Sequence, residues 1–294
     1  MPDINHGNFN VTPIHPALGA EISGIDLSQG LYDETFNTID DLFNQYSVIF
    51  FRNQTLTPEQ HIEFTKKFGS LMISTISRYV LQAHPEILLV SNVEEDGKLI
   101  GLADAGRFWH TDMSYVECPP RCSIMNAIEV PAATDGAPLG NTCFVSTAAA
   151  HDALPDDMKT RIDGLQSIHS FKNKPRVPGS KRDDATKRQK NTGFDDVIHP
   201  VARTHPATGR KCLYITAGEC IGIVGMDDEE ALPLLDHLAD HTVQEKFMYC
   251  HQWQAGDVLM WDNCALQHKA IEDFALPQRR VMHRTTVQGP KPFI

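Results

Sequence analysis

Two histidines and one aspartate carry the strongest chemical signal in this chain. His110-Thr111-Asp112 sets an imidazole and a carboxylate two residues apart. In an extended segment such positions face the same side, so both side chains can reach one ion. The triplet alone decides nothing. With 14 histidines and 38 acidic residues in 294, about two H-x-D/E triplets are expected by chance, and three occur. Of the other two, His84-Pro85-Glu86 is broken by its proline, and His61-Ile62-Glu63 lies in a segment with helical signals, where positions two apart point nearly opposite ways. The first triplet gains weight from Gly256-Asp257-Val258-Leu259-Met260-Trp261-Asp262-Asn263, which reads as a turn and a buried strand with a polar end, and from His268 shortly after it. Two histidines and one carboxylate form the ligand set of non-haem iron oxygenases, which leaves one face of the ion open. A zinc hydrolase can use similar ligands, so the metal set does not by itself choose the reaction.

Downstream arginines bear on that choice. Arg279, Arg280 and Arg284 read as part of an apolar strand, with Arg280, Met282 and Arg284 on one face and Arg279, Val281 and His283 on the other. Charge on such a strand is costly unless an anion pairs with it, and a planar guanidinium is the preferred bidentate partner of a carboxylate. Iron beside such an arginine offers what 2-oxoglutarate needs, a metal for its keto-acid end and a cation for its distal carboxylate. A surface cluster of ion-paired arginines is the plain alternative, and a non-catalytic binding protein on the same scaffold is another. His237 and His241, four apart on an expected helix, read as a solvated face. His15, His84, His199 and His205 stand beside prolines and receive no chemistry.

The positioning elements follow from pattern. Phe36, Ile39, Leu42 and Phe43 recur at helical spacing and predict an amphipathic helix over 33–46. Val48–Phe51 reads as a buried strand. Thr57-Pro58-Glu59-Gln60 is a helix start with its cap, its first-turn proline and a glutamine three residues on, predicting a helix to Phe68 that stops at Gly69. Further strands are expected at 87–93, 122–130, 142–145, 213–216, 257–261 and 281–287, with helices near 147–162 and 227–242. Many short strands with a few helices predict a mostly β chain with helical decoration, a sandwich or jelly roll. One domain over 1–294 is expected, with a polar stretch at 171–198 acting as a lid. That stretch holds a basic run from Lys172 to Lys190, read either as a solvated loop or as a flap over an anionic substrate.

Bulk properties narrow the classes. A net charge of −12 argues against nucleic-acid binding. No apolar run approaches the length of a membrane span, and the first ten residues lack a secretory pattern, so a cytoplasmic setting is expected. Seven cysteines without a C-x-x-C pair predict reduced, mostly buried thiols rather than a disulfide framework or zinc knuckle.

Several pieces of this chain together resemble the taurine dioxygenase / 2,4-dichlorophenoxyacetate dioxygenase (TauD/TfdA) family of Fe(II)/2-oxoglutarate-dependent dioxygenases. They are Leu18-Gly19-Ala20-Glu21-Ile22-Ser23-Gly24, Trp109-His110-Thr111-Asp112, His199-Pro200-Val201-Ala202-Arg203-Thr204-His205-Pro206, Trp261-Asp262-Asn263 before His268, and Leu276 to Arg284. The resemblance implies a double-stranded β-helix, a cupin-like jelly roll, with iron on His110, Asp112 and His268. It implies Thr142 and Arg280 for the distal carboxylate of 2-oxoglutarate, although Pro138-Leu139-Gly140-Asn141-Thr142 departs from the family's Gly-Gly-Asp-Thr. It further implies O2 as co-substrate, Arg284 on the anionic group of the substrate, and a homo-oligomer, dimer or tetramer. Ser74, Ser77, Gly106 and Met113 fall at substrate positions. Where taurine dioxygenase has a histidine and a tyrosine after the early helix, this chain reads Met72 to Ser77, and Gly106 replaces an asparagine. Taurine is therefore not the expected substrate. Arg78, Arg107, Tyr115 and Lys172 are further pocket candidates.

Overall fold

Val48, Ile49, Phe50 and Phe51 are all buried, and alternation sends them into two different cores. Ile49 and Phe51 pack with Ile39, Phe43, Phe64 and Phe68. Val48 and Phe50 pack with Phe144, Trp253, Trp261 and Leu266. A strand covered on both faces has no polar side to show, which is why this one reads as an unbroken apolar run. Each such aromatic or aliphatic side chain contributes about 1.5–3 kcal/mol by leaving water.

The computed structural model describes residues 4–5, 9–74, 77–103, 106–171 and 194–294. Its strands around the site are β1 (Val48–Phe51), β2 (His84–Ser91), β3 (Cys122–Glu129), β4 (Thr142–Ser146), β5 (Gln166–His169), β6 (Val197–Pro200), β7 (Cys220–Ile223), β8 (Met248–His251), β9 (Val258–Asp262), β10 (Leu266–Ala270) and β11 (Val281–Val287). Its helices are α1 (Asp33–Tyr46), α2 (Pro58–Lys66), α3 (Thr147–Asp152), α4 (Asp156–Ile162) and α5 (Asp228–Thr242). The large sheet runs Ile4–Asn5, Asn10–Pro13, Ala20–Ser23, β1, β9, β3, β11, β2, Val80–Leu81. Its pairs are antiparallel except Ala20–Ser23 with β1. A second sheet, β8-β4-β10, shares the Trp253–Trp261 core with it. A third, β6-β5-β7, packs with α3, α4 and α5 around Ile162, Leu213, Leu234 and Leu238. Among the described residues no helix is long and apolar enough to cross a membrane.

Most expected elements form, and the differences have local causes. The Thr57–Gln60 capping box is present, but α2 ends at Lys66. Phe68 N and Gly69 N bond to Thr65 O and Lys66 O, three residues back, so the last turn tightens. The expected 147–162 helix is two helices, because Pro155 has no N–H and disfavours helical geometry at Leu154. The 213–216 strand is instead Lys211–Leu213; Thr216 turns its carbonyl to Glu219 N and Cys220 N. The expectation of reduced thiols throughout is overturned at one pair. Cys143 and Cys250, 107 residues apart, oppose each other in the β4–β8 register and are bridged, with Cα atoms 3.9 Å apart. A register pairing of this kind leaves no trace in sequence spacing. The other five cysteines are free. The basic run from Lys172 to Lys190, and with it most of the expected lid, lies outside the described residues.

His61 and Glu63 diverge as helical geometry requires: His61 is fully buried on α2 and meets Thr285 Oγ1 at 3.1 Å, while Glu63 pairs outward with Lys66. Burial, aided by repulsion from His283, pushes the His61 pKa from 6.5 down to about 3. Above pH 6.5 both folded and unfolded states hold it neutral. Between there and pH 3 only the unfolded chain takes the proton, so stability falls as pH drops, by up to about 1.4 kcal/mol per unit. Urea unfolding at pH 7.5 and pH 5.0 should show that loss, and His61→Gln should reduce it by about 1–2 kcal/mol. An unchanged pH dependence in the variant would refute this account.

Candidate active site

His268 sits at the centre of β10, and the segment along one edge of that strand carries His110. His110 N donates to His268 O at 3.2 Å and His268 N donates to His110 O at 2.9 Å. Residues that exchange both bonds stand directly opposite and share a face; their rings lie 4.2 Å apart, centroid to centroid. Ala270 N continues the pairing to Gly106 O at 2.7 Å. On the other edge of β10 runs β4, with Phe144 opposite His268 and Thr142 opposite Ala270. Phe144 and Trp261 flank the His268 ring.

Asp112 completes the group. Its Oδ1 lies 3.8 Å from His110 Nε2, 3.9 Å from His268 Nε2 and 3.3 Å from Arg284 Nη1. The imidazole distances are too long for hydrogen bonds. All three side chains are buried, and their donor atoms lie within 4.8 Å of one another. His110 Nδ1–H donates to Phe108 O at 2.8 Å, which leaves the Nε2 lone pair turned toward Asp112. Ser123 Oγ donates to Asp112 Oδ2 at 2.7 Å and so sets the rotation of the carboxylate. Burial favours the neutral acid, but Arg284, the two imidazoles and the Ser123 hydroxyl outweigh it and hold Asp112 well below the usual carboxylate range. Burial and repulsion from His110 push His268 down to about 3, against the pull of Asp112. An ionised carboxylate with neutral imidazoles is the protonation state a divalent metal requires.

Arg280 is 6% exposed, and burial alone pushes its pKa down to about 10. Its backbone N–H donates to Asn92 Oδ1 at 2.8 Å, but its guanidinium meets no acceptor among the described residues, and Nε is without a partner. A buried, uncompensated cation is expensive; an anionic ligand would relieve that cost. Gly140, at φ +68°, lets this side chain pass, since a Cβ there would come within 3.0 Å of Arg280 Cδ and 2.8 Å of the Phe274 ring. Thr142 Oγ1 accepts from Trp253 Nε1 at 3.0 Å, which leaves its own proton to donate elsewhere. The donor set fits a divalent metal, and Arg280 with Thr142 fits a carboxylate.

Residues 10–286 match the model of a family described as taurine catabolism dioxygenase TauD, TfdA family. The chain belongs to this family. It is similar to the alpha-ketoglutarate-dependent 2,4-dichlorophenoxyacetate dioxygenase of Cupriavidus pinatubonensis, 33% identical over 285 residues, covering 93% of this chain and 96% of that protein. It is also similar to the alpha-ketoglutarate-dependent sulfate ester dioxygenase of Pseudomonas putida, 31% identical, with 97% and 91% covered. A crystal structure of a taurine dioxygenase from Burkholderia xenovorans superimposes with a TM-score of 0.80 at 29% identity, over 97% of this chain and 91% of that one. The mostly β architecture is thus the TauD-like fold.

Other residues expected at the site of this TauD/TfdA-family chain are spread more widely. Gly106, at φ +75°, lies against the His110 ring; a Cβ would come within 3.2 Å of Cε1. Met113 follows Asp112 with a left-handed φ of 51°. Ser74 is half-buried and Ser77 exposed, on a segment that joins β11 through Met72 N to Thr286 O. Arg107 pairs with Glu272, Arg78 lies over Tyr79, and Tyr115 meets Phe171 and Phe194 edge to face; Lys172 is outside the described residues. Arg279 and Arg280 precede the strand instead of lying on it as expected. Arg279 faces outward to Glu129 at 3.0 Å, and β11 begins at Val281 because Arg280 N has left the ladder for Asn92.

Sequence reasoning missed Ser123, Asn263 and Trp253. A serine inside the apolar 122–130 run was the available signal for the first. Asn263 Oδ1 accepts from Asp112 N at 3.4 Å. A second buried group, His205, Asp262 and Cys264, reads as a hydrogen-bonded pair instead of a metal site: Asp262 takes His205 Nε2 at 2.6 Å and Cys264 N at 2.7 Å, and burial raises the Cys264 thiol far above its ordinary value. Ser123→Ala should weaken Fe(II) binding by roughly 10–100-fold, as loss of a partner to a ligating carboxylate does. Equilibrium dialysis measures this; unchanged affinity would show that Ser123 does not orient Asp112.

Proposed function

We propose that this dioxygenase holds Fe(II) on His110, Asp112 and His268, binds 2-oxoglutarate through Arg280 and Thr142, and oxidises a C–H bond of a small anionic organic substrate, releasing succinate and CO2. One observation carries the reading: two imidazoles and a carboxylate converge on one point, while the buried Arg280 guanidinium, packed at Gly140 on the segment leading into Thr142, has no anion among the described residues. When bound, iron, 2-oxoglutarate and O2 supply an oxidant able to break an unactivated C–H bond. The protein's part is positioning and exclusion of water. The His110–His268 backbone bridge sets the two rings, Ser123 sets the carboxylate, and Trp261, Phe144 and Leu266 keep the neighbourhood apolar.

Arg284 is the residue for the substrate's anionic group, on the same strand as Met282 and four residues past Arg280. The relatives named for 2,4-dichlorophenoxyacetate and for a sulfate ester support a carboxylate or sulfate-type anion. Ser74, Ser77, Gly106 and Met113 are the remaining substrate positions. Ser74 and Ser77, with Gly106, in place of larger hydrogen-bonding side chains argue against taurine. The proposal includes one domain over 1–294 with a jelly-roll core, supported by the shared core of the two facing sheets. It also includes a dimer or tetramer, which sedimentation would test. A cytoplasmic setting is part of it too, although the Cys143–Cys250 bridge weighs against that part, since reducing compartments keep thiols free.

Purified protein with Fe(II), O2 and 2-oxoglutarate should form succinate in step with a screened carboxylate or sulfate ester. Asp112→Ala should abolish it. Arg280→Ala should raise KM for 2-oxoglutarate by about 10- to 100-fold, the loss of a charge-assisted pair. Arg284→Ala should raise KM for the anionic substrate while leaving 2-oxoglutarate binding intact. Zinc-dependent hydrolysis without any keto acid would overturn the proposal.

A further inference from the structure

Behind the Asp112 carboxylate lies a buried polar chain that the chemistry above does not use. Ser114, two residues past Asp112, is fully buried, and its Oγ donates to Glu219 Oε2 at 2.7 Å. His169 Nδ1 lies 3.1 Å from Ser114 Oγ, and His169 Nε2 lies 2.9 Å from Ser167 Oγ. One proton arrangement satisfies the three contacts. The Ser114 proton goes to the carboxylate, so Ser114 must accept from His169 Nδ1–H, and Nε2 must accept from Ser167. Burial keeps His169 neutral, pushing its pKa to about 3, which agrees with that tautomer. Tyr214 stacks on the imidazole, and Glu219 O accepts from Ser170 N at 2.8 Å, so both groups are held by the β5–β7 sheet.

The backbone between the two functions is unusual. Met113 separates Asp112 from Ser114 and adopts φ 51°, a left-handed conformation a side-chain-bearing residue holds only when its surroundings impose it. The turn aims Asp112 at the imidazole pair and Ser114 away from it, toward Glu219. Val116 N bonds to Met113 O at 3.1 Å, and Asp112 N is held only weakly, by Asn263 Oδ1 at 3.4 Å. At the far end of the turn the Ser114 hydroxyl bonds to Glu219, and His199 Nε2 donates to Val116 O at 3.0 Å.

We propose that Ser114, Glu219 and His169 are positioning residues that pin the turn carrying Asp112 and so set where its carboxylate stands; this rests on the Fe(II) site proposed above. Ser123 fixes the rotation of the carboxylate, whereas this chain fixes the backbone beneath it. Because the partners act through one hydroxyl, their effects are not additive.

The test measures Fe(II) affinity by equilibrium dialysis and the ratio of substrate oxidised to succinate formed, on Ser114→Ala, Glu219→Gln, the double variant and Ser114→Thr. Ser114→Ala is expected to raise the Fe(II) Kd about tenfold or more and to lower the coupling ratio, with KM for 2-oxoglutarate nearly unchanged. The double variant should be no worse than Ser114→Ala alone, and Ser114→Thr, which keeps the hydroxyl, should restore most of the affinity. Glu219→Gln keeps the side-chain shape and reports on the chain should Ser114→Ala not fold. Wild-type affinity and coupling in the folded Ser114→Ala or Glu219→Gln protein overturns the proposal, as do fully additive losses. Wild-type protein that neither binds Fe(II) nor forms succinate would instead sink the underlying metal reading.

Discussion

The site depends on two backbone hydrogen bonds, exchanged between His110 and His268 at 3.2 and 2.9 Å. Residues 158 positions apart in a chain have no local reason to meet, and a single imidazole has little affinity for a divalent ion. Opposing the two residues in an antiparallel register makes them share a face without any side-chain contact being needed. The spacing His110-x-Asp112 then adds the carboxylate from the same segment. Everything else at the site adjusts what this pairing creates.

What surrounds the pairing is an electrostatic arrangement few soluble cores contain. Asp112, Arg280 and Arg284 lie in or beside a region built from Phe144, Trp253, Trp261, Leu266 and Met282. Buried charges of this sort do not stabilise a fold well, and removing their solvent costs several kcal/mol each. Asp112 is offset by Arg284, both imidazoles and Ser123. Arg280 has no such offset within the described chain, and its depressed pKa records the cost. An anion of opposite charge would offset that cost.

The doubly buried large sheet explains how such a site is tolerated. β1 and β9 send alternate residues into two cores, so the strands that neighbour the site are rigid on both faces. Among the described residues, Asp112 is tied into a set of partnered polar groups: Ser123, Asn263, Ser114 and, through it, Glu219 and His169. Rigidity of this kind lets a left-handed Met113 persist beside the Asp112 carboxylate. The bridged Cys143–Cys250 pair adds a covalent tie next to Thr142 on β4.

Local chemistry was legible in the residues themselves. The α2 capping box, the amphipathic face of α1, the unbroken apolar β1 and the H-x-D triplet are written within a few positions of one another, where propensity and period act. Arg280 stood out as a cation amid apolar neighbours for the same reason. The tertiary structure alone decided what required register: that His268 opposes His110, that Cys250 opposes Cys143, that Ser123 reaches Asp112, and that Glu219 meets Ser114. Such pairings arise from strand order and from which face each strand buries. These are properties of the whole core, and a one-residue slip in register would undo them while leaving every local pattern intact.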